Sequence, residues 1–186
     1  MNVTTMVNGV DLERLGATID AVKGEPTLGR FEFRARSHWI DGGHSQSTIQ
    51  GFYGAGQEDS TRSQPFVMDV DEPPVLLGQN LAPNAGEYAL QALAACLTGT
   101  VVYHAAARGI VIEGLDCEVR GDLHLQGFLG LDADIRPGYE QISVSIRIAG
   151  NFNQDEFSEL AALTRFSPVR DMVANPVPVA IDVTRA

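Results

Sequence analysis

Two cysteines, Cys96 and Cys117, are the side chains of this sequence best suited to nucleophilic or redox chemistry. A thiol reacts as its thiolate, so its surroundings decide whether it is chemically active. Cys96 lies in the middle of the run PNAGEYALQALAACLTGTVVYHAAARG, residues 83–109. Two interpretations of Cys96 follow from its apolar surroundings: a reactive thiol, or a small apolar residue that fills a gap in the core.

The other chemically capable residues form no recognisable motif. Cys117 alternates with Leu115 and Val119 on the apolar side of a strand pattern, which predicts a core position. The four histidines have neither HxxxH nor HExxH spacing, and the glycine-rich stretches match neither GxGxxG nor GxxxxGK[ST]. The sequence therefore predicts no metal and no cofactor.

A long helix must position Cys96. Asn84 is a suitable N-cap with Glu87 at N3, the pairing of a capping box, and Gly109 is a suitable C-terminal stop. The helix is predicted over residues 85–108, about 36 Å in length. Its middle is apolar on all sides and rich in small residues, which predicts burial and packing against another helix. Polar and glycine positions interrupt this run too often for a membrane span: Gln91, Thr98, Gly99 and His104.

Glu87 precedes Cys96 by nine residues, which is about 180° around an ideal helix. The two side chains therefore face opposite ways on one helix. The capping box gives Glu87 a sufficient structural role, and a catalytic role is the alternative.

Strand patterns gather before and after this helix. Residues 11–23 have the apolar spacing of an amphipathic helix, and strands are predicted from Phe31 to Arg36, from Ser47 to Phe52 and over 66–70. After the central helix, strands are predicted over 115–125 and 142–148, then a helix over 154–165. Ser167-Pro168 is predicted to begin a short helix, with Ser167 as N-cap, and alternation at 177–183 predicts a last strand. This order, without alternation of strands and helices, favours an α+β fold rather than a doubly wound sheet.

Charge and cysteine usage limit the possible partners. A net charge of -11 repels phosphate backbones and anionic lipid, so neither nucleic acid nor a membrane surface is an expected partner. The first 14 residues have neither the basic nor the apolar region of a signal peptide. Two unpaired cysteines agree with a reducing cytoplasm, which is the expected location.

The order of these elements, with the motifs NAGEYALQALAACL and FSPV, resembles the OsmC/Ohr family of osmotically induced and organic-hydroperoxide-resistance proteins. The resemblance covers residues 27–186, which leaves residues 1–26 as an N-terminal helical extension. It implies antiparallel sheets wrapped around a long buried central helix, in an intertwined homodimer.

The resemblance also implies roles for particular residues. Cys96 matches the cysteine that attacks the peroxide, and Ser167 stands where a second cysteine before proline forms the resolving disulfide. His44 is the nearest positional match to an activating arginine in an early hairpin, with Arg34 and Arg36 on the preceding strand. Gly86 stands ten residues before Cys96, where the organic-peroxide branch has glutamate, which indicates a more distant branch.

Two functions are compatible with these residues. The first is a thiol-dependent hydroperoxide reductase that uses Cys96 alone and an external thiol, because a serine hydroxyl cannot form a disulfide. The second is a non-enzymatic dimer of the same fold that binds a small hydrophobic ligand.

Overall fold

A computed structural model of the chain describes residues 5–185. The first four residues of the predicted extension and Ala186 lie outside the described part. The fold is α+β and divides into two compact units. The first comprises the residues up to Met6 and Asp11–Ala89, and the second comprises Val7–Val10 and the residues from Leu90 onward. The predicted domain boundary after residue 26 stays a prediction.

The first elements of the described chain are a short hairpin and a helix. Strands β1 (Met6–Val7) and β2 (Val10–Asp11) pair with each other, and helix α1 spans Leu12–Gly24. The Asp11 carboxylate caps α1 by accepting the Arg14 N–H at 3.0 Å. The amphipathic helix predicted over 11–23 is therefore confirmed.

A three-stranded antiparallel sheet follows. It contains β3 (Arg36–Asp41), β4 (His44–Ile49) and β7 (Phe66–Val70) in the order β3-β4-β7, and a hairpin of β5 (Phe52–Gly54) and β6 (Gln57–Asp59) lies between them in sequence. Gly42 has a φ of 53°, so the turn from β3 to β4 is tight and the second arm begins at His44. The arm predicted from Ser47 to Phe52 was therefore placed three residues too late.

The strand predicted from Phe31 to Arg36 was wrong, because β3 begins only at Arg36. Phe31 and Phe33 are 52% and 71% exposed, and their rings stack with 5.8 Å between centroids. Between them in sequence, the Arg34 guanidinium pairs with the carboxylates of Glu32 and Glu58. The apolar and charged alternation thus reflects ring stacking and ion pairs rather than a half-buried strand.

The second unit contains the longest strand pair. Strand β8 (Gly114–Leu123) runs antiparallel to β9 (Tyr139–Ala149), and both predicted strands are confirmed. The connection between them contains a one-turn helix, α3 (Leu125–Phe128), so Leu125 is helical rather than part of the strand. Helix α4 (Gln154–Leu163), a 3-10 turn (Thr164–Phe166) and helix α5 (Pro168–Ala174) follow.

Helix α2 (Ala85–Ala106) ends two residues before the predicted limit. Gly109 has a φ of 71°, and the next N–H, from Ile110, returns to the Ala105 carbonyl at 3.0 Å. Gly109 therefore terminates the helix as predicted.

Burial of α2 is restricted to one stripe. The buried residues are Leu93, Leu97, Val101, Ala105 and Ala106, whereas Ala95 and Tyr103 are exposed. Within a single chain, the predicted burial is therefore confirmed along this stripe only. The helix is long and apolar enough to cross a membrane by length and composition, a property shared by core helices of soluble proteins.

The core of the second unit lies at the C-terminal half of α2. Leu160 and Leu163 from α4 pack against Val101 and Ala105 of α2, and each of the four is at most 2% exposed. Burial of such side chains contributes roughly 1.5–3 kcal/mol each for the larger residues. This packing positions α4 against α2, and it therefore positions the segment that follows α4.

The final strand predicted over 177–183 was also wrong. Residues 176–185 form no helix or strand within the described chain. Val179, Ile181 and Val183 are 76%, 82% and 87% exposed. Alternation alone does not produce a strand, because each strand needs a neighbouring edge for its hydrogen bonds.

Candidate thiol site

Cys96 and Ser167 are in direct contact. The Ser167 hydroxyl oxygen lies 3.1 Å from the Cys96 sulfur, within hydrogen-bonding distance, although 71 positions separate the two in sequence. Ser167 is fully buried, and Cys96 is partly buried. The serine thus occupies the space beside the candidate reactive sulfur.

Two contacts hold the chain around α4 and Ser167 in this place. Arg108, two residues after the end of α2, pairs with the carboxylate of Glu159 on α4 at 2.6 Å. The His104 ring stacks on Phe166 at 4.7 Å between centroids, one residue before Ser167. Burial, followed by the nearby Arg108 charge, lowers the pKa of His104, which keeps the stacked ring neutral.

Ser167 is also the N-cap of α5, as predicted. Its hydroxyl oxygen accepts the Arg170 N–H at 3.2 Å, and Pro168 follows at the first helical position. One hydroxyl therefore accepts a hydrogen bond from the helix and contacts the thiol sulfur.

Cys117 has a different environment. It lies on β8 opposite Ile146, partly buried rather than fully buried, and forms a side-chain hydrogen bond with Thr98 of α2. Burial raises the pKa of the Cys117 thiol, and the Thr98 hydrogen bond lowers it by a smaller amount. The net effect keeps Cys117 protonated and unreactive to a higher pH.

Glu87 forms the capping box with Asn84. The Glu87 carboxylate accepts the Asn84 N–H at 2.8 Å, and the Glu87 N–H donates to the Asn84 side-chain oxygen at 2.9 Å. The predicted capping role is confirmed by this geometry. A further catalytic role for Glu87 stays a prediction.

The hairpin candidates have partners within the first unit. His44 on β4 lies 3.0 Å from the Asp69 carboxylate on β7, and the Gln46 amide donates to the same oxygen at 3.2 Å. The hydrogen bond with His44, followed by the one from Gln46, lowers the pKa of Asp69. Arg34 is engaged by its two glutamates, and Arg36 is the exposed first residue of β3.

Chemically, the contact of a thiol with a buried hydroxyl can support nucleophilic attack by sulfur, because a hydroxyl can donate to a thiolate. It cannot support internal disulfide formation at position 167. Within residues 5–185, no cluster of three or more His, Cys, Asp or Glu side chains is arranged to bind a metal ion.

Comparison with known proteins assigns this α+β chain to a family. A family model described as OsmC-like protein matches residues 78–182, which is more than half of the chain. The protein therefore belongs to the OsmC-like family.

Solved structures have the same fold. An OsmC-like protein from Mycoplasma pneumoniae is 18% identical with a TM-score of 0.58, and the match covers 78% of this chain and 89% of that one. An organic hydroperoxide resistance protein OsmC from Legionella pneumophila is 19% identical with a TM-score of 0.52, over 77% of this chain and 89% of that one. Among curated proteins, none matches this sequence significantly.

The sequence did not reveal two contacts of the thiols. Ser167 was identified as a cap and as the missing second cysteine, but not as a hydrogen-bonding partner of Cys96. Thr98 was not identified as a partner of Cys117. The first could have been found from the resemblance, since two cysteines that form a disulfide must lie adjacent in the fold.

Proposed function

We propose that this protein is a thiol-dependent hydroperoxide reductase that protects against oxidative stress and uses Cys96 as its single redox cysteine. The Cys96 thiolate attacks one oxygen of the hydroperoxide, the O–O bond breaks, and the alcohol leaves after taking a proton. The sulfur is oxidised by two electrons to sulfenic acid, and the peroxide is reduced by two electrons.

The observation that carries this proposal is the 3.1 Å contact between Cys96 and Ser167. The residue that stands in place of the second cysteine reaches the sulfur of the first, so the arrangement of the two positions supports a redox site. Because Ser167 has no sulfur, the sulfenic acid remains until another thiol attacks it.

An external thiol completes the cycle. It attacks the sulfenic sulfur, water leaves, and a mixed disulfide forms with Cys96. A second external thiol then attacks the mixed disulfide, releases Cys96 as a thiol and leaves as the oxidised external disulfide. A reducing cytoplasm, which supplies such thiols, is the proposed location, and both cysteines are free in the structure.

The proposed working unit is a homodimer. Only 28% of the most apolar 18-residue stretch of α2 is buried within one chain. Tyr103 on that helix is 57% exposed. The C-terminal segment adds further exposed apolar side chains. Surfaces of this kind mark sites of association, and a second copy is the partner of choice because symmetric dimers are the commonest oligomers.

The test is consumption of cumene hydroperoxide by the purified protein with and without dithiothreitol. We expect many turnovers with dithiothreitol and a single turnover without it. Cys96→Ser should abolish both, and Cys117→Ala should change neither. If wild type and Cys96→Ser consume peroxide equally slowly, the enzyme proposal fails. The function is then that of a dimer that binds a small hydrophobic ligand.

A further inference from the structure

Ser167 has a hydroxyl whose bonding is constrained on two sides. Its oxygen accepts the Arg170 N–H at 3.2 Å, and the same oxygen lies 3.1 Å from the Cys96 sulfur. The residue is fully buried, so water does not compete for the hydroxyl. With one lone pair used by the helix N–H, the hydroxyl hydrogen remains available to the sulfur.

From this geometry we infer that Ser167 activates Cys96: the hydroxyl donates a hydrogen bond that stabilises the thiolate and holds it in place for attack. The inference rests on the proposed function for its use in peroxide reduction. Ser167 then takes part in the reaction itself, and it does not only replace a resolving cysteine.

The hydrogen bond discriminates between the two states of the sulfur. A neutral thiol is a weak acceptor, whereas a thiolate accepts a charge-assisted bond that is roughly twice as strong as a neutral one. A group that binds the charged form more strongly shifts the equilibrium towards that form. The Ser167 hydroxyl therefore binds the attacking form of the Cys96 sulfur more strongly than its neutral form.

Charged side chains near Ser167 in sequence are poorly placed to stabilise the Cys96 thiolate. Arg165, Arg170 and Asp171 are exposed, so water and salt screen their charges. The Arg165 guanidinium lies over the Phe166 ring at 4.7 Å. Among groups on α2, His104 is kept neutral beside Arg108. The buried hydroxyl acts at hydrogen-bonding distance.

The test is the pH profile of Cys96 alkylation by iodoacetamide. The folded protein is labelled first and then digested. Trypsin cleaves after Arg62, Arg108 and Arg120, so Cys96 and Cys117 fall on separate peptides and their labelling is quantified separately. In Ser167→Ala, we expect Cys96 to be labelled about tenfold more slowly than in wild type at neutral pH, so that its profile lies at higher pH.

Matched variants separate donation to sulfur from capping. Ser167→Thr keeps the hydroxyl and should retain the wild-type midpoint. Asn153→Ala removes the N-cap of α4, where the Asn153 side chain accepts the Glu156 N–H at 3.0 Å. It should lower stability and leave the Cys96 midpoint unchanged. Where iodoacetamide does not reach the sulfur, the difference in thiolate ultraviolet absorbance between Ser167→Ala and wild type gives the midpoint shift.

The inference is overturned if the Ser167→Ala profile superimposes on that of wild type, or if Asn153→Ala shifts it equally. These outcomes are distinct from failure of the proposed function. If Ser167→Ala shifts the profile while Cys96→Ser consumes peroxide like wild type, the hydrogen bond exists but the peroxidase proposal fails. If peroxide consumption needs Cys96 while the profile does not move, the peroxidase proposal survives and the role of Ser167 does not.

Discussion

At position 167, a hydroxyl stands where the resemblance to the OsmC/Ohr family places a second thiol. The Ser167 hydroxyl contacts Cys96 at 3.1 Å but cannot form a disulfide with it. In the proposed cycle, the consequence at the residue scale is a long-lived sulfenic acid. This intermediate depends on solution thiols for its reduction.

Restoring sulfur at this position should restore internal resolution. We expect Ser167→Cys to form a disulfide between positions 96 and 167 when one equivalent of hydroperoxide is added, because the side-chain atoms already touch. Non-reducing peptide mapping by mass spectrometry detects the linked peptides. Ser158→Cys, at an exposed position of α4, is the control and should not link to Cys96. Two free thiols in oxidised Ser167→Cys would contradict the site geometry.

Cys117 provides a pH-dependent prediction. Burial raises the pKa of its thiol, so the group stays protonated to a higher pH in the folded protein than in the unfolded chain. Iodoacetamide should therefore label Cys117 more slowly in native than in urea-unfolded protein at about pH 8, and the native rate should rise at higher pH. Equal native and unfolded rates would show that Cys117 is freely accessible.

The same raised pKa affects stability. A folded-state pKa above the unfolded value means that the folded protein retains this proton longer as pH rises. The contribution of this proton to the free energy of unfolding is fully present below the pKa of Cys117 in the unfolded chain. It is lost as pH rises through the pKa of Cys117 in the folded protein.

At the scale of elements, the sequence predicted the caps of α2 and α5 and the stop of α2 correctly, because they depend on residues close together in the chain. The capping box at Asn84 and Glu87, the stop at Gly109 and the cap at Ser167 are each formed by residues within a few positions of one another. All three were predicted from the sequence. The strand predicted from Phe31 failed because its alternation arises from stacked rings and ion pairs, which depend on residues distant in sequence such as Glu58.

The candidate site was predictable only in part for the same reason. Cys96 and Ser167 were identified individually, but their contact requires α4 to pack on α2 through Leu160 and Leu163. Packing of this kind is set by long-range burial, which no local pattern contains.

Helix α2 allows the two roles of Glu87 to be separated. Glutamine also completes a capping box, so Glu87→Gln should change the free energy of unfolding by less than about 0.5 kcal/mol, whereas Asn84→Ala should lower it by about 1 kcal/mol. If Glu87 is only a cap, Glu87→Gln also consumes peroxide like wild type. Retained stability in denaturant titration with lost peroxide consumption would assign Glu87 to the reaction.

For the whole molecule, the proposed association with a second copy accounts for the exposed apolar surface of α2. The exposed stripe includes Ala95 and Tyr103, with Gly99 between them, and a Cβ added at Gly99 would meet nothing within 4 Å in the single chain. A side chain at position 99 therefore begins in open space in the single chain, and a close contact there requires another helix.

Gly99→Leu tests this directly, with Gly16→Leu as a matched control. Gly16 lies within α1 and also has open space around it. In a monomer both changes should stabilise the protein by roughly 1 kcal/mol through helix propensity. We expect sedimentation to show a dimer at micromolar concentration for wild type and Gly16→Leu, and weaker dimerisation for Gly99→Leu. Equal behaviour of the two variants would exclude the Gly99 surface from any interface.

The measurement that tests the central claim most directly is the intact mass of the protein after one equivalent of cumene hydroperoxide, with and without the sulfenic-acid trap dimedone. We predict that the intact mass gains one oxygen, or one dimedone adduct when the trap is present. Tryptic mapping should place the added group on the peptide that contains Cys96. Cys96→Ser should gain neither. Unmodified Cys96 in wild type, or the same modification at Cys117 in both proteins, would contradict the assignment of Cys96 as the attacking thiol.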